Sequence, residues 1–157
     1  MLNNCIAFGC QPVRGARRLL PFTNFNCASS ISMTKPSLQV LVVDDDVDVA
    51  ESVAAIIETW GHRATTVYDG LGVLDSALRV RPDVILLDLG LPEVNGYQAA
   101  AIVRRERLLD QVRLVALTGW ESDAHKQASR HAGFDAYLTK PVSPDALMKV
   151  LAGVEPR

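Results

Sequence analysis

The stretch Leu38-Gln39-Val40-Leu41-Val42-Val43 decides the fold, and it is followed directly by Asp44-Asp45-Asp46. A short apolar run without alternation predicts a strand that is buried on both faces. The apolar residues that follow share one face of a helix: Val49, Val53, Ile56, Ile57 and Trp60. Asp46 is placed to cap this helix and Gly61 to end it. The stretch therefore predicts one strand–helix unit.

The same unit recurs along the rest of the chain. Further strands are predicted at 63–68, 84–87, 112–117 and 135–138. Helices are predicted from Asp69-Gly70 to Arg79, from Tyr97 to Arg107, from Ser122 to His131, and from Pro144 after a Ser143 cap. Because each buried strand precedes a helix, we expect an α/β fold with a five-stranded, doubly wound parallel sheet.

Composition limits the function classes. The chain has 157 residues, 48% of them hydrophobic, and a net charge of −2. No apolar run approaches the roughly 18 residues of a membrane span, and the charge disfavours a protein that coats nucleic acid. All three cysteines lie within residues 1–36. The rest of the chain needs no disulfide, so we expect a cytoplasmic protein with no membrane partner.

Residues 1–36 differ from the rest of the chain. They contain arginine, proline and glycine, no acidic residue, and no sustained helical or strand period. We predict a disordered extension there, although its composition is also that of an organellar transit peptide, and Met33 is an alternative start of translation. The domain is then expected at 37–153, with a short tail at 154–157.

Polar residues gather where the predicted strands end. They are Asp44, Asp45 and Asp46, then Asp88, Thr118 and Lys140. Ligands of open α/β sheets bind at this edge. Clustered carboxylates repel one another unless a cation such as Mg²⁺ neutralises them. A hydroxyl and an ammonium group suit phosphate oxygens, and a carboxylate can itself be the nucleophile that forms an aspartyl phosphate.

Four motifs in this order carry a family resemblance. They are Val-Val-Asp-Asp-Asp at 42–46, Asp-Leu-Gly-Leu-Pro at 88–92 with Gly96, Ala-Leu-Thr-Gly at 116–119, and Gly-Phe-Asp-Ala-Tyr-Leu-Thr-Lys-Pro at 133–141. Segment 38–153 thus resembles the receiver domain of two-component response regulators, in its single-domain, chemotaxis-regulator-like form. The resemblance implies the flavodoxin-like sheet order 2-1-3-4-5.

The resemblance also implies a site and a cofactor. Asp88 is expected to accept a phosphoryl group from a histidine kinase or a histidine phosphotransfer protein. Asp45 is expected to ligate Mg²⁺ directly, and Asp44 directly or through water. Asp88 and the carbonyl of Gly90 complete the expected metal ligands.

Switch residues and partners follow from the same resemblance. Thr118 and Lys140 are expected to hold phosphoryl oxygens, and Tyr137 matches the aromatic residue that turns inward on activation. Tyr137 also fits plain packing. A downstream protein is expected on the face formed by helix 122–131, strand 135–138 and helix 144–152. With no DNA-binding or catalytic domain after residue 153, we expect a stand-alone receiver or relay intermediate that promotes only its own phosphotransfer and dephosphorylation.

Two other function classes stay open. A phosphatase of the haloacid-dehalogenase type would need a second aspartate two residues after the nucleophile, where this chain has Gly90. A phosphorylation-independent pseudo-receiver would be expected to lack an acidic residue or the lysine. We further predict a cis Lys140–Pro141 bond, because that turn must aim the lysine into the site, and surface positions for His62, His125 and His131.

Overall fold

Five parallel strands form the centre of the domain in the computed structural model, which describes residues 37–119 and 132–155. The strands are β1 (Gln39–Val43), β2 (Arg63–Val67), β3 (Val84–Asp88), β4 (Arg113–Thr118) and β5 (Ala136–Thr139). They pair in the order β2-β1-β3-β4-β5, and every pairing is parallel. The expected fold class and strand order are confirmed.

Helices cover both faces of this sheet. They are α1 (Val47–Thr59), α2 (Gly72–Val80), α3 (Gly96–Arg105) and α4 (Pro144–Ala152), with a 3-10 turn at Arg107–Leu109. No helix in the described ranges is long and apolar enough to cross a membrane. The helix predicted at Ser122–His131 lies outside the described residues, as do His125 and His131.

The helices on both faces explain why the strands are apolar without alternation. On β3, Ile85 and Leu87 belong to the cluster that packs under α2 and α3, while Val84 and Leu86 belong to the cluster under α1 and α4. All four side chains are fully buried. Both faces of the strand are therefore interior, which removes the alternation of an exposed sheet.

Local interactions determine where helices α1 and α4 begin and where α1 ends. The Asp46 side chain accepts hydrogen bonds from the N–H groups of Asp48 and Val49, and Gly61 follows α1 with a φ of 81°. Ser143 caps α4, whose first residue is Pro144. These predicted boundaries are confirmed because each rests on a side chain or backbone conformation that only a few residue types supply.

Other boundaries were predicted wrongly. Helix α2 begins at Gly72 rather than Asp69, because the Asp69 carboxylate accepts a hydrogen bond from the Gly72 N–H and keeps the residues before it outside the helix. Helix α3 ends at Arg105, since Glu106 is extended. Asp88 and Thr118 are the last residues of β3 and β4 instead of the first residues after them.

His62 is a further correction. Its side chain is buried, and Nδ1 accepts a hydrogen bond of 3.2 Å from the Leu38 N–H. The adjoining Gln39 N–H donates to Asp83 at 2.8 Å. These two side chains cap the amino end of β1, a tertiary role that an isolated histidine in a sequence does not reveal.

Candidate functional site

The sheet order brings the polar residues together at its carboxyl edge. Strand β1 lies beside β3, with Val43 opposite Leu87, so Asp44 and Asp88 emerge side by side. Thr118 ends the neighbouring strand β4, and Lys140 follows β5. Four segments that are distant in sequence thus contribute to one site.

Lys140 joins the two buried carboxylates. Its Nζ lies 2.6 Å from Asp44 Oδ2 and 3.0 Å from Asp88 Oδ2. The bond between Lys140 and Pro141 is cis, as predicted. The other carboxylate oxygens accept backbone hydrogen bonds of 3.1 Å, Asp44 Oδ1 from Asp46 and Asp88 Oδ1 from Gly90. Each carboxylate is therefore held at both oxygens.

Burial sets the electrostatics of this pair. Asp44 is fully buried, and the loss of hydration raises its pKa even though Lys140 acts to lower it. Burial works to lower the pKa of Lys140, but hydrogen bonds to Asp44 and Asp88 outweigh it and raise that pKa above the ordinary value. The lysine is consequently held in its charged form.

The acidic cluster has the oxygen donors of a divalent metal site. Asp44, Asp45 and Asp88 each offer a carboxylate oxygen, and the three atoms lie within 4.8 Å of one another. Asp45 is exposed, whereas the other two are buried. Lys140 forms ion pairs with Asp44 and Asp88, so one ammonium group is set against a cluster of three carboxylates and negative charge is in excess. A hard cation with oxygen ligands, such as Mg²⁺, fits this donor set.

A cavity of about 320 Å³ opens beside Asp88. Its lining consists of Asp88, Leu89, Gly90, Tyr97, Thr118, Gly119 and Lys140. Two of these lining residues, Gly90 and Gly119, contribute no side chain to the cavity wall. The cavity therefore has room for a group bonded to the Asp88 carboxylate, within reach of a hydroxyl and an ammonium group.

Two aromatic residues stand in different relations to this cavity. Tyr97, which sequence reasoning did not single out, lies in its wall. The only sequence signal for it is its place directly after Gly96, at the start of α3. Tyr137, the expected switch residue, is 42% exposed on β5 and does not line the cavity.

Known proteins are similar to this chain in sequence. A family model described as the response regulator receiver domain matches residues 40–152. The polar-differentiation response regulator DivK of Brucella anthropi is 31% identical over 104 residues, which are 66% of this chain and 85% of that protein.

Solved structures give the same result. The chemotaxis protein CheY4 of Vibrio cholerae is 29% identical with a TM-score of 0.72, covering 76% of this chain and 100% of that one. The receiver domain of the sensor histidine kinase PA1611 of Pseudomonas aeruginosa is 31% identical with a TM-score of 0.68, covering 74% and 95%. That structure has a magnesium ion coordinated in its active-site cleft.

Proposed function

Because the chain belongs to the response regulator receiver domain family of two-component signalling, we propose that it is a phosphoacceptor switch in which Asp88 takes a phosphoryl group from a phosphohistidine. The donor is a histidine kinase or a histidine phosphotransfer protein. The observation that carries the proposal is the position of Lys140. Its Nζ lies within 3.0 Å of a carboxylate oxygen of both Asp44 and Asp88, beside an open cavity.

The residues of the site suit this transfer. An Asp88 oxygen forms the new bond to phosphorus, the bond between phosphorus and the imidazole nitrogen breaks, and the imidazole leaves. Lys140 offsets the negative charge on the phosphoryl oxygens, and Thr118 offers them a hydrogen bond. Asp44, Asp45, Asp88 and the Gly90 carbonyl would hold Mg²⁺, which supplies further charge neutralisation when bound.

An apolar groove beside the site suits the docking of the donor protein. It has a volume of about 590 Å³ and lies between α1 and the segment after β5, with Val49, Ile56, Pro141 and Val142 in its lining. Lys140 lies at its edge. A protein that binds there would bring its phosphohistidine close to Asp88.

A phosphotransfer experiment tests the proposal. Histidine kinases from the same genome, phosphorylated in advance, are mixed with the purified chain, and transfer of the label is followed. We expect Mg²⁺-dependent labelling by at least one kinase, complete loss in Asp88→Asn, and full retention in Asp110→Asn, which removes an exposed carboxylate elsewhere. No labelling by any kinase would favour a pseudo-receiver, and turnover of a small phosphomonoester would favour the phosphatase.

Output is proposed on the face formed by β5, α4 and the helix predicted from the sequence at 122–131, which lies outside the described residues. Phosphorylation adds a charge of roughly −1.5 to −2 at Asp88. Movement of the Thr118 hydroxyl toward that charge would open space beside β4, and Tyr137 would turn inward to fill it. Its pairing with Ala116, two residues before Thr118 on β4, supports this role. The response is a shift between two populations of one fold.

The variant Tyr137→Ala separates output from phosphorylation. We expect labelling of Asp88 to stay near the wild-type level, because Tyr137 does not line the cavity, while phosphorylation no longer alters partner binding. Tyr68→Ala, at another exposed tyrosine, is the control. If phosphorylation still alters partner binding in Tyr137→Ala as it does in the wild-type chain, Tyr137 does not transmit the signal and the proposed output face is wrong.

A further inference from the structure

Helix α3 has one end at the phosphoacceptor. The Gly96 N–H approaches the Leu89 carbonyl oxygen at 3.4 Å, directly after β3. The next residue, Tyr97, is half-buried and lines the cavity together with Asp88 and Thr118. A group bonded to Asp88 would therefore share the cavity with the Tyr97 side chain.

Tyr97 contacts the segment that leads into β5. Its ring lies edge-to-face against Phe134, with ring centroids 6.3 Å apart and an interplanar angle of 86°. Phe134 is buried in the same core cluster against which Tyr97 packs. Because protein interiors are close-packed, a displacement of the Tyr97 ring must be met by a movement of Phe134.

Arg104 holds the same segment from the other end of α3. Its guanidinium donates to the Gly133 carbonyl at 2.8 Å, to the Val112 carbonyl at 2.7 Å and to Asp135 at 2.6 Å. Asp135 also accepts from the Leu114 N–H at 2.8 Å, which ties the segment to β4. Arg104 lies seven residues after Tyr97, so the two share one face of the helix.

We propose that Tyr97 is a positioning residue that links the state of Asp88 to the entry of β5, residues 132–135, through its contact with Phe134. Occupancy of the cavity moves the Tyr97 ring, and Phe134 follows. Arg104 binds the Gly133 carbonyl and the Asp135 carboxylate, one on each side of Phe134, so a movement of Phe134 passes through this held segment into β5, where Tyr137 lies. This route is separate from the one through Thr118, and it rests on the proposed function of Asp88.

Amide chemical shifts test this link, with Mg²⁺ and saturating beryllofluoride as the phosphoryl mimic. In the wild-type chain we expect shift changes at Gly90 and at residues 132–136. In Tyr97→Leu the change at Gly90 should persist, while the change at 132–136 falls roughly twofold or more. Tyr97→Phe should keep both responses, because it retains the ring that contacts Phe134. Tyr68→Leu should also keep both responses, because it replaces an exposed tyrosine that follows the edge strand β2 and contacts Glu51 of α1.

The outcomes separate this inference from the proposed function. A wild-type response at 132–136 in Tyr97→Leu, alongside the Gly90 response, would overturn the role of Tyr97 and leave the phosphoacceptor intact. No response at Gly90 in the wild-type chain would overturn the phosphoacceptor itself, and this inference with it. If Tyr97→Leu does not fold, Phe134→Leu removes the other ring of the pair and is judged by the same two responses.

Discussion

Lys140 is the residue on which the two buried carboxylates of the site depend. Asp44 has no solvent exposure, and Lys140 is its ion-pair partner. A buried ion that loses its partner cannot recover its hydration, so removing one member of such a pair costs more than the pair contributes. The lysine therefore has a structural role in the metal-free protein beside its proposed role in phosphotransfer.

We predict that Lys140→Met lowers the free energy of unfolding of the metal-free protein by about 3 kcal/mol, the lower end of the range for a broken buried pair. Lys140→Met combined with Asp44→Asn should recover part of this loss, because the fully buried Asp44 no longer carries an unpaired charge, while Asp88 still lacks its lysine partner. Lys149→Met, at an exposed lysine of α4, should change stability by no more than about 0.5 kcal/mol. Urea denaturation in chelator measures all three, and an equal effect of the two lysine variants would refute the dependence of Asp44 on Lys140.

Magnesium is expected to stabilise the folded chain, because the folded state alone holds the carboxylates of Asp44, Asp45 and Asp88 together. At a hundredfold excess over Kd the gain is about 2.7 kcal/mol. Asp45→Asn should reduce the gain and leave or raise the stability without metal, since it removes repulsion. Asp110→Asn, which makes the same charge change at the far edge of the sheet, should keep the full gain in a magnesium titration of thermal unfolding. An undiminished gain in Asp45→Asn would count against the metal site.

The sequence located these residues but not all of their surroundings. Asp44, Asp88 and Lys140 are recognisable because each ends an apolar run, and the end of a run marks the edge of a sheet. The burial of Asp44 beside an exposed Asp45 depends on the direction of each side chain after the strand ends. The partners of Arg104 lie up to 31 residues away, a distance at which no local pattern carries information.

At the scale of elements, α3 can begin where it does because residue 96 is glycine. A Cβ at Gly96 would lie against the Asp88 carbonyl oxygen, closer than real Cβ atoms approach, and 2.8 Å from Leu89 Cα. The helix start and the phosphoacceptor strand are thus packed backbone against backbone. Asn95 and Gln98 complete the start as a capping box.

We predict that Gly96→Ala lowers the free energy of unfolding by about 1–3 kcal/mol, the usual cost of overpacking, and also slows phosphorylation, because α3 and the backbone of Asp88 must separate. Gly119→Ala is the matched variant, since a Cβ there meets no atom of residues 37–119 or 132–155 within 4 Å, and it should keep wild-type stability. Thermal unfolding and the labelling rate measure the two effects. Wild-type values for Gly96→Ala would show that the close approach does not constrain the site.

The elements themselves were predictable where a residue type has a local reason to start or stop a helix. Asp46, Gly61 and Ser143 supply such reasons, and the predicted ends of α1 and the start of α4 hold. The start of α2 was misplaced because Asp69 is a good capping residue that here bonds the Gly72 N–H from outside the helix. The same side chain chemistry fits both positions, so only the backbone path distinguishes them.

At the scale of the whole molecule, the site exists only because of the strand order. Asp44 and Lys140 are 96 positions apart in the chain, yet the parallel crossovers bring every contributing strand to the same edge. The parallel sheet was predictable from the repeated strand–helix pattern. The order 2-1-3-4-5 followed from the family resemblance, because right-handed crossovers alone permit several orders.

The central claim is that Asp88 is the phosphoacceptor, and mapping the covalent phosphoryl group on the labelled chain tests it most directly. Peptide mass spectrometry should find one hydroxylamine-sensitive phosphoryl group, on Asp88, formed only when Mg²⁺ is present and absent from Asp88→Asn. The geometry gives the reason: the Asp88 carboxylate opens into the cavity that Thr118 and Lys140 also line. Full labelling of Asp88→Asn, or a phosphoryl group on Asp44 or Asp45 in the wild-type chain, would contradict the claim.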